Sequence, residues 1–139
     1  MTDTLGWRKK FGVLAPSTNT IVEPDFYRMS VPGVTSHFSR IYIGDQDMGS
    51  QDAALRLLDQ IREEIASSVQ RIMTAEPDYM IMGMSSETFW GGVEGNLRFN
   101  QRIKDLSGLD IATGATACER ALRAFNVSRV ALITPYQPV

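Results

Sequence analysis

An unbroken apolar run in the middle of the chain limits the fold more than any other feature. Tyr79-Met80-Ile81-Met82-Gly83-Met84 carries apolar residues at successive positions rather than at every second one. A strand of this kind is typical of the centre of a parallel sheet, because both of its faces are buried. Parallel strands need long crossover connections, which are usually helices. The run therefore predicts an α/β fold.

Strand and helix patterns alternate along the rest of the chain, which favours a parallel sheet with helices on both faces and flavodoxin-like strand order. Two capping boxes, Thr20 with Glu23 and Thr116 with Glu119, predict the starts of the first and last helices. The predicted strands are 11–15, 34–43, 79–84, 111–113 and 130–134, and the predicted helices are 20–29, 50–75, 93–106 and 116–125.

Composition narrows the function classes. The 139 residues are 43% hydrophobic, enough for one domain with a sizeable core. A net charge of −2 without a Lys/Arg cluster argues against a nucleic-acid partner, and no apolar run is long enough to span a membrane. One cysteine, Cys118, rules out an internal disulfide and, without a signal-peptide pattern, favours a cytoplasmic location.

The end of the chain follows a predicted buried strand directly, without the helix that the pattern requires next. We therefore expect residues 1–139 to be an N-terminal α/β domain, truncated, with a second domain absent.

Three predicted loops follow strands and should meet at one edge of the sheet, where α/β proteins bind ligands. They are residues 16–20, 83–92 and 134–136. The first ends in Asn19 and leads into a helix whose N–H groups suit a carboxylate. In the second, backbone N–H groups with Ser85 and Ser86 suit an oxyanion, and Phe89 with Trp90 suits an apolar wall. A small acidic ligand is predicted.

Other chemically capable residues fit structural roles better. Glu87 is interpreted as a solvated or capping carboxylate and His37 as a polar strand residue. Cys118 is expected in the first turn of the last helix, among small residues that pack on the sheet. One histidine without a Cys/His cluster predicts no metal site, and the chain has neither a dinucleotide nor a P-loop motif.

The three loops resemble those of the aspartate/glutamate racemase superfamily, in particular its maleate cis–trans isomerase and arylmalonate decarboxylase branches. The segment Pro16-Ser17-Thr18-Asn19-Thr20 resembles an isomerase loop whose asparagine holds a substrate carboxylate. The resemblance implies that role for Asn19 and makes Ser17 a further substrate contact. The loop from Gly83 resembles the decarboxylase loop, which implies that Gly83, Met84 and Ser85 bind a carboxylate. Leu132-Ile133-Thr134-Pro135-Tyr136 resembles a third loop and implies that Tyr136 contacts the ligand, with a possible catalytic role.

The resemblance implies a cofactor-independent enzyme that often forms homo-oligomers. Its isomerases use two cysteines, one near the position of Gly83 and one in a C-terminal half, and this chain has neither. We therefore expect an isomerase of a small dicarboxylic acid whose N-terminal half alone is inactive. Three alternatives remain: an arylmalonate-type decarboxylase, a non-catalytic carboxylate-binding module, and a regulatory or interaction domain in which the loops are merely structural.

Overall fold

The computed structural model describes residues 3–44, 51–89 and 91–133, except for the side chains at 51–55, 57–58 and 86–87. Its described residues form one parallel sheet with the strand order β2-β1-β3-β4. The strands are β1 (Lys9–Pro16), β2 (Val34–Ile41), β3 (Tyr79–Met82) and β4 (Ile111–Ala112). The predicted α/β class and the flavodoxin-like order of these strands are confirmed.

Helices connect the strands and cover both faces of the sheet. They are α1 (Val22–Arg28), α2 (Gln51–Met73), α3 (Ser86–Phe89), α4 (Gly92–Ser107) and α5 (Gly114–Ala124). The sequence predicts four of them; the one-turn α3 was missed because its four residues are too few to show a helical period.

The main core lies on the face that α2 and α4 cover. Ile65 of α2 and Ile103 of α4 are buried against Leu14 and Met80 from the two central strands. On the opposite face, Phe26 of α1 meets Phe38 of β2 edge to face, with the ring centroids 5.9 Å apart. The sheet therefore holds α1 on the side opposite α2, beside the ends of β1 and β3.

The first predicted capping box is wrong. Helix α1 begins at Val22, and its N-cap residue, Ile21, makes no side-chain cap. Asn19, two residues earlier, caps the helix start from outside: its Oδ1 accepts hydrogen bonds from the N–H groups of Ile21 and Val22, both at 2.9 Å. Glu23 does not close a box, because its carboxylate pairs with Arg40 instead. A short amide side chain just before a helix satisfies N–H groups as well as a hydroxyl does.

The second predicted capping box is displaced by one turn. Helix α5 begins at Gly114, and the hydroxyl of Thr113 accepts from the N–H of Thr116 at 3.2 Å. Thr116 thus occupies the third helical position rather than the cap. Cys118 is consequently the fifth residue of α5, beyond the first turn, and its side chain is exposed.

The predicted fifth strand does not form over residues 130–133, and residues 134–136 lie outside the described part of the chain. Leu132 and Ile133 are 81% and 99% exposed. A strand needs a neighbour with which to exchange backbone hydrogen bonds. β4 is only two residues long, so it offers little edge for another strand to pair with.

Candidate ligand-binding groove

A groove of about 390 Å³ runs between α1 and the carboxyl end of β3. The α1 residues that face it recur at helical spacing. Its lining consists of Asn19, Val22, Asp25, Phe26, Met29, Met82, Gly83, Met84, Ser85 and Gly114. Four of the predicted site residues (Asn19, Gly83, Met84 and Ser85) thus lie together, although they come from two loops 64 residues apart in sequence.

The amide of Asn19 is used at one end only. Its oxygen caps α1, whereas its Nδ2 has no hydrogen-bond partner among the described residues. The N–H groups of Ile21 and Val22, which the sequence offered to an anion, are therefore already satisfied within the chain. Those two N–H groups are not available to an anion, whereas the Asn19 Nδ2 donor is.

Gly83 leaves no room for a side chain. A Cβ atom there would lie 2.9 Å from Val22 Cγ1 and 3.0 Å from the carbonyl oxygen of Leu14. The Gly83 N–H donates to that same carbonyl at 2.7 Å, so the two backbones are held in direct contact. A cysteine at this position would require the backbone of β1 or the side chain of Val22 to move.

The loop after Gly83 supplies polar groups to the groove. The carbonyl oxygen of Ser85 accepts from the N–H groups of Thr88 and Phe89, which closes α3 into a tight turn. The N–H of Met84 has no hydrogen-bond partner in the described ranges. Two residues of the lining, Met84 and Asn19, thus carry a hydrogen-bond donor without a partner among the described residues: the Met84 N–H and Asn19 Nδ2.

Arg40 connects the loop at residues 16–20 to the sheet, and no sequence pattern predicted this role. Its Nη1 donates to the carbonyl oxygens of Pro16 and Asn19, at 3.3 and 2.8 Å, while its Nη2 pairs with the carboxylate of Glu23. The arginine near the end of β2 can be read from the sequence, and parallel pairing of the two strands places it beside Ala15. Only the strand register, however, brings it to a loop more than 20 residues away.

Glu23 accepts a second hydrogen bond, from the hydroxyl of Tyr27 at 3.0 Å. That bond to a carboxylate, together with some desolvation and the negative charge of Glu23, raises the pKa of Tyr27 above its ordinary value of 10.0. The start of α1 is thus fixed by a chain of three polar side chains: Arg40, Glu23 and Tyr27.

Two other predicted site residues lie elsewhere. Ser17 does not line the groove; its hydroxyl accepts from the N–H of Ile43 at 2.9 Å and so ties the end of β1 to the segment after β2. Tyr136 falls outside the described residues, as does Trp90, and the side chains of Ser86 and Glu87 are likewise not described.

Among the described residues, one charged side chain lines the groove. Asp25 is the acidic residue of the lining, and its carboxylate pairs with Arg28 at 3.3 Å. His37 lies in β2, where its Nε2 shares a hydrogen bond of 3.0 Å with the hydroxyl of Thr35. Within the described residues no group of three or more His, Cys, Asp or Glu side chains is placed to hold a metal ion. No helix in these ranges is long and apolar enough to cross a membrane.

The strand order and a groove at the carboxyl end of the central strands define a parallel α/β domain with flavodoxin-like strand order. Among solved structures the chain is similar to Nocardia farcinica maleate cis-trans isomerase bound to TRIS, with 22% identity over 93% of this chain and 53% of that one and a TM-score of 0.73. It is also similar to arylmalonate decarboxylase, with 20% identity over 84% of this chain and 46% of that one and a TM-score of 0.64.

A third similar structure is a cysteine-to-serine mutant of the Nocardia isomerase with a covalently bound succinylcysteine intermediate, at 17% identity over 85% of this chain and 49% of that one and a TM-score of 0.59. The chain spans about half the length of these structures. No protein-family model matches it, and no curated protein matches it in sequence. The fold predicted from the loop resemblance is confirmed.

Proposed function

We propose that this chain supplies the carboxylate-binding half of a cofactor-independent isomerase that acts on a small dicarboxylic acid, in the manner of a maleate cis–trans isomerase. The observation that carries the proposal is the groove itself, which brings the unused donors of Asn19 and Met84 beside Ser85. The similarity of the fold to an isomerase of that kind supports it.

The donors have a direct chemical purpose in such a reaction. Changes at the carbon next to a carboxylate build negative charge on its oxygens, and a donor fixed in advance stabilises that charge by about 3 kcal/mol. Asn19 Nδ2 and the Met84 N–H are held by a helix cap and by a strand end, so neither has to reorganise when charge develops. These residues bind and orient the acid.

The proposed isomerisation also needs a thiol that adds to the double bond, which then becomes single and free to rotate before the thiol leaves. Cys118 does not line the groove. On this proposal the thiol comes from a part of the enzyme other than the described residues, and the isolated 139-residue chain binds the acid without converting it.

An arylmalonate-type decarboxylase is the second candidate, and two features of the groove favour it. Gly83 has no space for the cysteine that an isomerase would need at that position. Phe26, Met29 and Met82 add an apolar surface that suits an aryl substituent better than a second carboxylate.

Binding to the chain as it exists separates these proposals. We would titrate ¹⁵N-labelled protein with maleate and, separately, with phenylmalonate, and follow the side-chain NH₂ of Asn19 and the N–H of Met84. Saturable shifts confined to the groove support carboxylate binding. Tighter binding of maleate favours the isomerase, and tighter binding of phenylmalonate favours the decarboxylase.

Asn19→Asp is the sharpest variant, because an aspartate oxygen still caps Ile21 and Val22 while the Nδ2 donor is lost. We expect it to abolish binding and leave the unfolding midpoint close to that of the wild type. Asn126→Asp is the matched control, since it introduces the same charge at an exposed residue away from the groove. The proposal fails if the wild type shows no saturable shift or if Asn19→Asp binds as well as the wild type.

A further inference from the structure

We infer that Arg40 is a positioning residue for the groove: it fixes the Asn19 Nδ2 donor in place by holding the backbone on which Asn19 stands. The inference rests on the proposed function for its ligand readout, although the geometry that motivates it does not. Arg40 itself is not among the lining residues, so it acts through Asn19 rather than on the ligand.

Arg40 holds the part of the loop that follows Ser17. Ser17 itself is tied to β2 and the segment after it, because its N–H donates to Ile41 and its hydroxyl accepts from Ile43. After Ser17 the described contacts of the loop backbone, apart from the cap and Arg40, reduce to the hydrogen bond from the N–H of Asn19 to Pro16, which closes only a local turn. The carbonyl oxygens of Pro16 and Asn19 both point to the Arg40 guanidinium, which therefore fixes the turn relative to β2.

The backbone of Arg40 is itself anchored by α2. Its carbonyl oxygen accepts from Ser68 Oγ at 2.9 Å and from Arg71 Nη1 at 3.1 Å, both on α2. Its side chain extends to α1, on the other face of the sheet, and is about one-third exposed. Backbone and side chain are thus held from opposite faces, which leaves the guanidinium a small range of positions.

The planar shape of the Arg40 guanidinium suits its three acceptors. A guanidinium is planar and offers five N–H donors in a fixed fork, whereas a lysine ammonium is a point charge on a flexible stem. Two carbonyl oxygens and the Glu23 carboxylate surround the Arg40 fork. A lysine at position 40 keeps the positive charge but cannot hold all three acceptors in that arrangement.

The test compares Arg40→Lys with Arg102→Lys in the same 139-residue chain. Arg102 is a fair control, because its guanidinium also donates to a backbone carbonyl, that of Arg62 at 2.9 Å, but between α4 and α2 and away from the groove. We would measure the Kd for maleate by NMR titration, the resonances of the Asn19 side-chain NH₂ without ligand, and urea unfolding.

For Arg40→Lys we expect the Kd to rise about tenfold, which corresponds to about 1.4 kcal/mol. The Asn19 NH₂ resonances should move or broaden even before maleate is added. Arg102→Lys should keep both readouts at their wild-type values, whatever each variant does to the unfolding midpoint. A residue with a merely structural role would change the midpoint and leave the Asn19 signals alone.

Glu23→Gln provides a second variant in case Arg40→Lys does not fold. It removes the ion pair but leaves both carbonyl contacts of Arg40. We therefore expect a Kd between those of the wild type and Arg40→Lys, and Asn19 NH₂ resonances that differ from those of the wild type. The inference is wrong if Arg40→Lys leaves the Asn19 resonances unchanged, or if Glu23→Gln does so when Arg40→Lys does not fold. If the wild type does not bind maleate at all, the proposed function is wrong, but the inference about Arg40 is still tested. The Asn19 NH₂ resonances without ligand show whether Arg40 holds the loop.

Discussion

At the scale of single residues, Gly83 determines what the groove can hold. A Cβ on Gly83, directly after β3, would lie 2.9 Å from Val22 Cγ1 and 3.0 Å from the Leu14 carbonyl oxygen, closer than ordinary contact. The Leu14 oxygen belongs to β1 and accepts the Gly83 N–H, so moving it strains that hydrogen bond. A side chain at this position would therefore distort the groove.

We predict that Gly83→Ala destabilises the chain by about 1–3 kcal/mol, the usual cost of overpacking a tight site. Gly114→Ala is the matched control in the same groove. Its Cβ would lie 3.8 Å from both Phe89 and Thr88, which is ordinary contact, so we expect no loss of stability. Urea unfolding of the three proteins is the measurement. Equal midpoints for the two variants would show that the contact between β3 and β1 relaxes easily.

Tyr27 gives a prediction about pH. Its pKa is raised because the neutral hydroxyl donates to Glu23, so folding favours the protonated form. The resulting stabilisation is complete below the ordinary pKa of 10.0 and is lost as the pH rises through the higher pKa of the folded state. We expect wild type to be more stable than Tyr27→Phe at pH 8 and to lose that advantage above pH 10.0. An advantage that persists throughout the alkaline range would contradict this assignment.

At the scale of secondary structure, hydrophobic period predicted most elements well. Helix 50–75 and strand 79–84 match α2 and β3 closely, because their burial patterns extend over many residues. The starts of α1 and α5 were predicted wrongly for a different reason. Two side chains that could cap lie within one turn of each helix start. They are Asn19 and Thr20 before α1, and Thr113 and Thr116 at α5. Which of the two caps the helix is decided by their tertiary contacts.

The cap of α5 allows the contribution of such a contact to the free energy of unfolding to be measured. Thr113 is 2% exposed, accepts from the Thr116 N–H and donates to Asn96 Oδ1 on α4 at 2.8 Å. We predict that Thr113→Ala costs about 1–2 kcal/mol, the upper part of the range for a lost cap. Thr113→Ser retains the hydroxyl and should cost much less. Chemical denaturation distinguishes them, and an equal loss in both would assign the effect to the methyl group instead.

At the scale of the whole molecule, the sequence predicted the sheet and the convergence of two loops at its edge. It did not predict Arg40, because a hydrogen bond between residues far apart in the chain leaves no local pattern. It also assigned residues 130–134 to a strand on apolar content alone. The described part of that segment lies exposed, which shows that a run of apolar residues forms a strand only where an edge is available to pair with it.

These exposed residues lead to a prediction about assembly. Phe125, Leu132 and Ile133 are 80% or more exposed, on and just after α5. Apolar surface of this kind favours association, and we propose that the chain forms homo-oligomers through it. Sedimentation velocity should show a sedimentation coefficient that rises with concentration, and the double variant Leu132→Lys/Ile133→Lys should remain monomeric. A wild type that stays monomeric at high concentration would refute the proposal.

The cap at the start of α1 has one more consequence, for the ionisation state of whatever enters the groove. An amide side chain can usually rotate by half a turn and exchange its oxygen and nitrogen. Two backbone N–H groups on Oδ1 prevent that exchange in Asn19, because rotation would set donor against donor. At the position of Asn19 Nδ2 the groove therefore offers a donor and not an acceptor. A carboxylate matches that donor and an ammonium group does not, whereas the acidic side chain of the lining, Asp25, is paired with Arg28.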